Sequence, residues 1–337
     1  MCGISGAHRA LHRGKVVILM YHRVLRDDDE AIPHMQPGMY VTESSFERQM
    51  GYVSANYEVI SVADLILSLD KGGLDPGKRY CIVTFDDGWR DNFLHAYPVM
   101  KRRGIQATIF LTTGFIGTGK WFWHEKARYL FMHGRNDAAR ICRELLASGK
   151  ASGDIISSVL GAIEDTEGAE GHAVTDAVVE RLKAFGETSI EDSLKRIYEP
   201  LGLRAPDDRV FLNWHEVEEM SKSGISFGSH TRTHRLLTTL APGEAREELE
   251  GSLRDLSGGK INRVPAFCYP NGNLDDGIVK MVKECGYLAA FTTSFGFEDA
   301  LPEDPFRMKR IGVHNDVSSS IPLFAFHLSG LRHKLRL

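Results

Sequence analysis

The sequence predicts an α/β fold of parallel strands, closing into a (β/α) barrel of about seven strand–helix units. Three observations carry that expectation. Short β-rich runs are apolar almost throughout, as in strands buried on both faces by helical crossovers. Each run ends in a polar cluster. Amphipathic helical patterns sit between the runs, and repeated strand-then-helix order means a parallel architecture.

Taken in order, residues 16–20 run into Tyr21-His22-Arg23, Tyr80–Phe85 into Asp86-Asp87-Gly88, and Ala107–Leu111 into Thr112-Thr113-Gly114. Residues 225–227 lead to Gly228-Ser229-His230, and 264–268 to Tyr269-Pro270-Asn271-Gly272. Residues 287–291 precede Thr292-Thr293, and 310–313 precede His314-Asn315-Asp316. Between them, Ser44-Ser45-Phe46-Glu47 has capping-box spacing and predicts a helix that continues through Met50 and Val53. Residues 91–103, 214–223, Pro242–Leu256 and 274–285 read as further helices, the last closing at Gly286. Residues 120–209 interrupt this rhythm. They open with Trp121-Phe122-Trp123-His124-Glu125 and read as a helical insertion in a single barrel spanning 15–320, with an amphipathic tail over 321–337.

Composition excludes several classes. The chain has 337 residues, 42% hydrophobic and 26% charged, which suits about two domains or one enlarged barrel. A net charge of −4 provides no global cationic field for nucleic acid. The longest apolar runs fall far short of the ~18 residues a membrane span needs. His8, Arg9, His12, Arg13 and Lys15 precede an apolar stretch too short for a secretory signal, so a cytoplasmic protein is expected. The five cysteines, Cys2, Cys81, Cys142, Cys268 and Cys285, form no C-x-x-C pair and predict neither a disulfide framework nor a thiolate zinc site. Met1-Cys2-Gly3-Ile4 resembles the start of class II glutamine amidotransferases, but the residues that follow do not continue that pattern.

Two strand-end motifs carry chemistry. In Thr84-Phe85-Asp86-Asp87-Gly88, successive strand residues face opposite ways, so both carboxylates reach one site only if the chain turns, which Gly88 permits. Adjacent carboxylates repel, and a cation resolves the conflict by taking one and leaving the other as a base. The plainer reading makes Asp87 a helix cap. In Ser229-His230-Thr231-Arg232-Thr233-His234, histidines four apart would share one face of a helical turn and could meet one metal. The plainer reading is two solvent-facing loop histidines.

Together these motifs resemble the polysaccharide deacetylases with the NodB homology domain (carbohydrate esterase family four). The likeness extends to Tyr21-His22-Arg23-Val24, to Phe267-Cys268-Tyr269-Pro270-Asn271-Gly272 and to Arg310-Ile311-Gly312-Val313-His314. It implies a NodB-like barrel that removes acetyl groups from an N-acetylated carbohydrate using one divalent metal, Zn2+ first, with Co2+, Ni2+ or Fe2+ as alternatives. Asp87, His230 and His234 would be the metal ligands and Asp86 the general base. A backbone N–H near Asn271 would steady the oxyanion, and His314 would protonate the leaving amine; a surface loop histidine is the alternative at 314. His22, Trp121, Trp123, His124 and Tyr269 are candidate substrate contacts, although the two tryptophans could instead anchor the insertion's own core.

Two departures from the family pattern stand out. Cys268 occupies the place where relatives often carry an arginine that orients the base. The aspartate–tryptophan motif that buttresses that arginine has no clear counterpart. Base orientation must therefore come from elsewhere. A carbohydrate-binding pseudoenzyme without turnover is the competing reading, and the tail is a candidate for weak contact with a membrane surface or for packing across the barrel.

Overall fold

The computed structural model describes residues 13–149, 153–168, 172–203 and 209–335. Cys2, His8, Arg9 and His12 lie outside them. The chain divides into two compact units, one within Met1–Asp27, Pro37–Thr118 and Arg209–Leu337, the other of Asp28–Gln36 and Gly119–Asp208.

The first unit carries strands β1 (Lys15–Tyr21), β2 (Arg23–Leu25), β3 (Tyr40–Thr42), β4 (Glu58–Val59), β5 (Tyr80–Phe85) and β6 (Ala107–Leu111). After the insertion come β7 (Ile225–Ser229), β8 (Arg263–Cys268), β9 (Ala289–Phe295), β10 (Glu298–Asp299) and β11 (Met308–Gly312). Seven of them form a parallel sheet in the order β1-β11-β9-β8-β7-β6-β5, and pairing of β1 with β5 closes it into a barrel. Short β4 and β10 extend it at β5 and β1, and β2 pairs with β3 separately.

Side-chain alternation then decides what fills the barrel. Val16 and Ile18, Tyr80 and Ile82, Val264 and Ala266, Ala289 and Phe291, and Met308 belong to one buried apolar cluster. The next position in each row continues the same face toward the C-terminal rim. On β5 that row ends in Thr84 and then Asp86, on β8 in Cys268, and on β11 in Arg310. The polar site is thus the top layer of the core.

Helix boundaries follow local chemistry. The first long helix is Glu43–Asn56, and its cap is Thr42, whose hydroxyl accepts from the Ser45 N–H, rather than Ser44. The helix Ile321–Leu328 buries Phe324 and Leu328, with Phe324 edge-on to Tyr52 at 5.7 Å. No helix among the described residues is long and apolar enough to cross a membrane.

The second unit is helical, with Trp123–Ala147, Gly153–Asp165, Ala173–Leu182 and Glu187–Tyr198 around a core that includes Ile156, Val159, Val178 and Leu194. Trp123 packs against that core. Trp121 meets Tyr129 edge-on at 6.1 Å, and His124 lies between Phe122 and Trp123.

Candidate active site

Asp86 and Arg310 form a buried ion pair in the barrel, both all but inaccessible to solvent. The guanidinium grips the carboxylate with two bonds, Nη1 to Oδ1 at 2.8 Å and Nη2 to Oδ2 at 2.7 Å. Its remaining N–H groups donate to the Thr292 carbonyl (2.8 Å), the Thr84 hydroxyl (3.1 Å) and the Cys268 sulfur (3.0 Å). All five donors of the fork therefore have acceptors, which is what a buried guanidinium requires. Burial alone would raise the Asp86 carboxyl, but the charge and hydrogen bonds of Arg310 bring it below the ordinary carboxylate range. Arg310 is the residue that sequence reasoning missed. The signal was present: it sits three positions before Val313 in a motif already singled out, on the inward face of its strand.

Asp87 turns the other way. Gly88, at φ +86°, makes the reversal, and a Cβ there would lie 2.8 Å from Leu111 Cδ2. The Asp87 carboxylate does not cap a helix. Its Oδ1 lies 3.4 Å from His230 Nε2 and 3.3 Å from His234 Nε2, while Oδ2 accepts the Trp89 indole N–H at 2.8 Å. The Trp89 ring is stacked on Phe211 (centroids 4.6 Å apart), and the Arg23 guanidinium lies over it at 4.6 Å. Arg23 is held in turn by Asp91 at 2.8 Å.

The histidine motif is not a helical turn. Thr231 and His234 both adopt positive φ, +64° and +66°, so the chain loops. The buried Glu248 carboxylate fixes that loop by accepting the N–H groups of Arg232 and Thr233 and the Thr233 hydroxyl. His230 Nδ1 lies 2.8 Å from the Cys268 carbonyl, a bond that presents Nε2 to Asp87.

Ligand atoms of Asp87, His230 and His234 all lie within 4.8 Å of one another. Two imidazoles and a carboxylate are a donor set suited to Zn2+ and related divalent ions. Burial would raise the Asp87 carboxyl, yet hydrogen bonds to His230 and His234 hold it well below the ordinary range. A site that keeps a buried carboxylate ionised in this way fits a cation. Asp86, His230 and Cys268 form a second close group, but Arg310 already occupies both Asp86 oxygens.

The other candidates separate clearly. Registers Tyr21↔Phe85 and Met20↔Gly312 put His22, Asp86 and His314 at one level of the rim. Burial lowers the His22 pKa, outweighing the opposing pull of Asp87 and Asp86. His314 Nδ1 pairs with Asp316 at 2.8 Å. Asn271 has φ +55°, and its carbonyl accepts from the Thr293 hydroxyl. Tyr269 requires correction: its ring is fully buried beside Phe267 and its hydroxyl donates to the Phe306 carbonyl, so its side chain is a core group and not a substrate contact. Trp121, Trp123 and His124 pack within the helical unit.

Comparison with known proteins gives these features a family context. A family model described as polysaccharide deacetylase matches residues 73–154 and 179–290, more than half of the chain. The Bacillus subtilis protein named "Putative polysaccharide deacetylase YxkH" is 32% identical over 123 residues, which cover 36% of this chain and 40% of that relative's length. The Streptococcus pyogenes deacetylase PplD, solved in complex with acetate, superposes with a TM-score of 0.56 at 19% identity, over 92% of this chain and 97% of its own. IcaB from Ammonifex degensii gives 0.55 at 19% identity, over 94% and 97%. At these identities the structural likeness speaks for the fold.

Proposed function

The chain belongs to the polysaccharide deacetylase family, and from that premise we propose that it hydrolyses N-acetyl groups from N-acetylhexosamine residues of a glycan or glycoconjugate. One observation carries the reading. Two adjacent aspartates have opposite partners, Asp86 clamped by Arg310 and Asp87 set between His230 and His234. That division supports one carboxylate as base and the other as ligand.

Asp87, His230 and His234 would hold the metal. When bound, a divalent cation supplies Lewis acidity, which brings the pKa of water toward about 7. Asp86, ionised at neutral pH, takes the proton as water oxygen attacks the acetamide carbonyl. Arg310 keeps both Asp86 oxygens in register for that transfer. The Asn271 N–H donates to no acceptor among the described residues and suits the oxyanion; such a donor contributes about 3 kcal/mol. The C–N bond then breaks, the sugar amine takes its proton from His314, and acetate leaves. Pairing with Asp316 supports His314 in that role, because a carboxylate on Nδ1 fixes the ring and leaves Nε2 to face the amine.

The test is acetate release from a panel of acetylated glycans and lipid-linked sugars, with and without chelation. Chelator-sensitive release that Asp86→Asn abolishes without metal loss is the expected result. Turnover that survives Asp86→Asn would remove the proposed base, and stoichiometric metal in a His230→Ala, His234→Ala double variant would remove the ligand assignment.

A further inference from the structure

Beside the loop that carries the two histidines, a cleft of about 480 Å3 opens in the barrel unit. Its walls include Thr113, Trp214, Glu218, Arg232, Asp255 and Gly259. Trp214 and Glu218 are four apart on the helix Trp214–Ser221 and so share a face. A capping box between Asn213 and Glu216 fixes the start of that helix, and with it the indole's position. The loops below are pinned as well. The Gly114 N–H donates to the Arg232 carbonyl at 2.8 Å, an approach that leaves no room for a Cβ, which would lie 2.6 Å from that oxygen.

Among the described residues, two lining groups have no hydrogen-bond or ion-pair partner. Among the described residues the Trp214 indole takes part in no ring stack or hydrogen bond, and the Glu218 carboxylate in no hydrogen bond or ion pair. Asp255 accepts from the Thr113 hydroxyl (2.7 Å) and Arg232 Nε (3.1 Å), both at Oδ2, leaving Oδ1 as an acceptor. The charge of Arg232 is answered by Asp255 and also by Glu247 at 3.6 Å. The cleft is therefore net acidic with one open aromatic face.

We propose that this cleft is a second glycan subsite, selective for a hexosamine whose nitrogen is a free ammonium. The assignment rests on the deacetylase reading, since that ammonium is what the reaction leaves on the sugar. An indole accepts the apolar face of a pyranose and attracts a cation over its ring. An ammonium brings three donors, which Glu218 and Asp255 Oδ1 can accept. An acetamido group brings one donor and no charge, and would leave Glu218 uncompensated. Arg232 lies two residues from each histidine, no more than about 8 Å along the backbone. A glycan held here by a residue already deacetylated would present its next acetylated residues at high effective concentration.

The experiment is calorimetric titration of the full chain with fully deacetylated and fully acetylated chito-oligosaccharides of equal length, with and without chelator. The deacetylated oligosaccharide should bind, its affinity should fall at least tenfold in Glu218→Gln and in Trp214→Ala, and chelation should leave it unchanged. Glu218→Gln is a conservative change on a helix surface and keeps the test informative even where Trp214→Ala fails to fold. Affinity unaltered in Glu218→Gln, absence of binding, or binding lost on chelation would each overturn the proposal. Failure of the deacetylase reading itself would show separately, as absence of acetate release from every acetylated glycan by the wild-type protein.

Discussion

Arg310 reaches Asp86 from a strand two places away in the barrel and 224 residues away in the chain. The aspartates and histidines were legible because each pair sits within a few residues of the chain, at strand ends. Arg310 was less so, because it closes the basic stretch Arg307-Met308-Lys309-Arg310 and takes its meaning only from the inward parity of β11 and from a cysteine on β8 that leaves it room. Removing the guanidinium has two consequences. Arg310→Met leaves a buried carboxylate unpaired, a change that costs about 3–5 kcal/mol, and thermal unfolding should show it. Arg310→Lys keeps the charge but not the fork. Asp86 then loses hydrogen bonds that favour its ionised form, its pKa rises, and activity should begin to fall at a higher pH on acidification than in the wild type. An acidic limb of the pH profile that does not move would separate Arg310 from the base. Trp89 acts on the other aspartate, holding Asp87 Oδ2 so that Oδ1 faces the histidines. Trp89→Phe retains a ring over Phe211 but loses the N–H, and metal affinity should fall by about 10–100-fold in a competition titration with a chromogenic chelator.

The histidine loop shows where reading elements from spacing failed. Four-residue spacing predicts a helical turn, yet Thr231 and His234 take left-handed backbone angles that a helix excludes. The Thr231 hydroxyl accepts the His234 N–H, and Glu248 accepts two more, so side chains supply what helical carbonyls would have supplied. Thr231 lies inside the motif, but Glu248 belongs to the helix Pro242–Leu256 and is not visible locally. The strands were legible for the opposite reason, because burial on both faces writes an unbroken apolar run into the sequence. Non-glycine residues at positive φ cost about 1–3 kcal/mol each and persist only where surroundings over-determine them. Glu248→Ala should therefore lower the melting temperature and, with the loop relaxed, weaken metal binding as well. Glu248→Gln, which keeps an acceptor for the backbone N–H groups, should recover most of both. A normal metal affinity in Glu248→Ala would show that the loop holds its shape without this carboxylate.

At the scale of the whole molecule, length and composition suited about two domains or one enlarged barrel. The barrel closes through the pairing of β1 with β5, a tertiary event that no local pattern encodes. Closure also makes the site. Asp87 precedes the helical unit and His230 and His234 follow it, so the three donors meet only in the folded barrel. A ligand that binds the native state alone stabilises it by RT ln(1 + [L]/Kd), about 2.7 kcal/mol at a hundredfold excess over Kd. Chelation should accordingly lower the melting temperature of the full chain by several degrees, and added Zn2+ should restore it in a concentration-dependent way. The gain should shrink as the solution is acidified, because imidazole and carboxylate ligands bind metal only when deprotonated. The His230→Ala, His234→Ala variant should melt at one temperature whether or not Zn2+ is present. If the wild type behaves like that variant in differential scanning calorimetry, the three donors do not form a site that the folded barrel assembles.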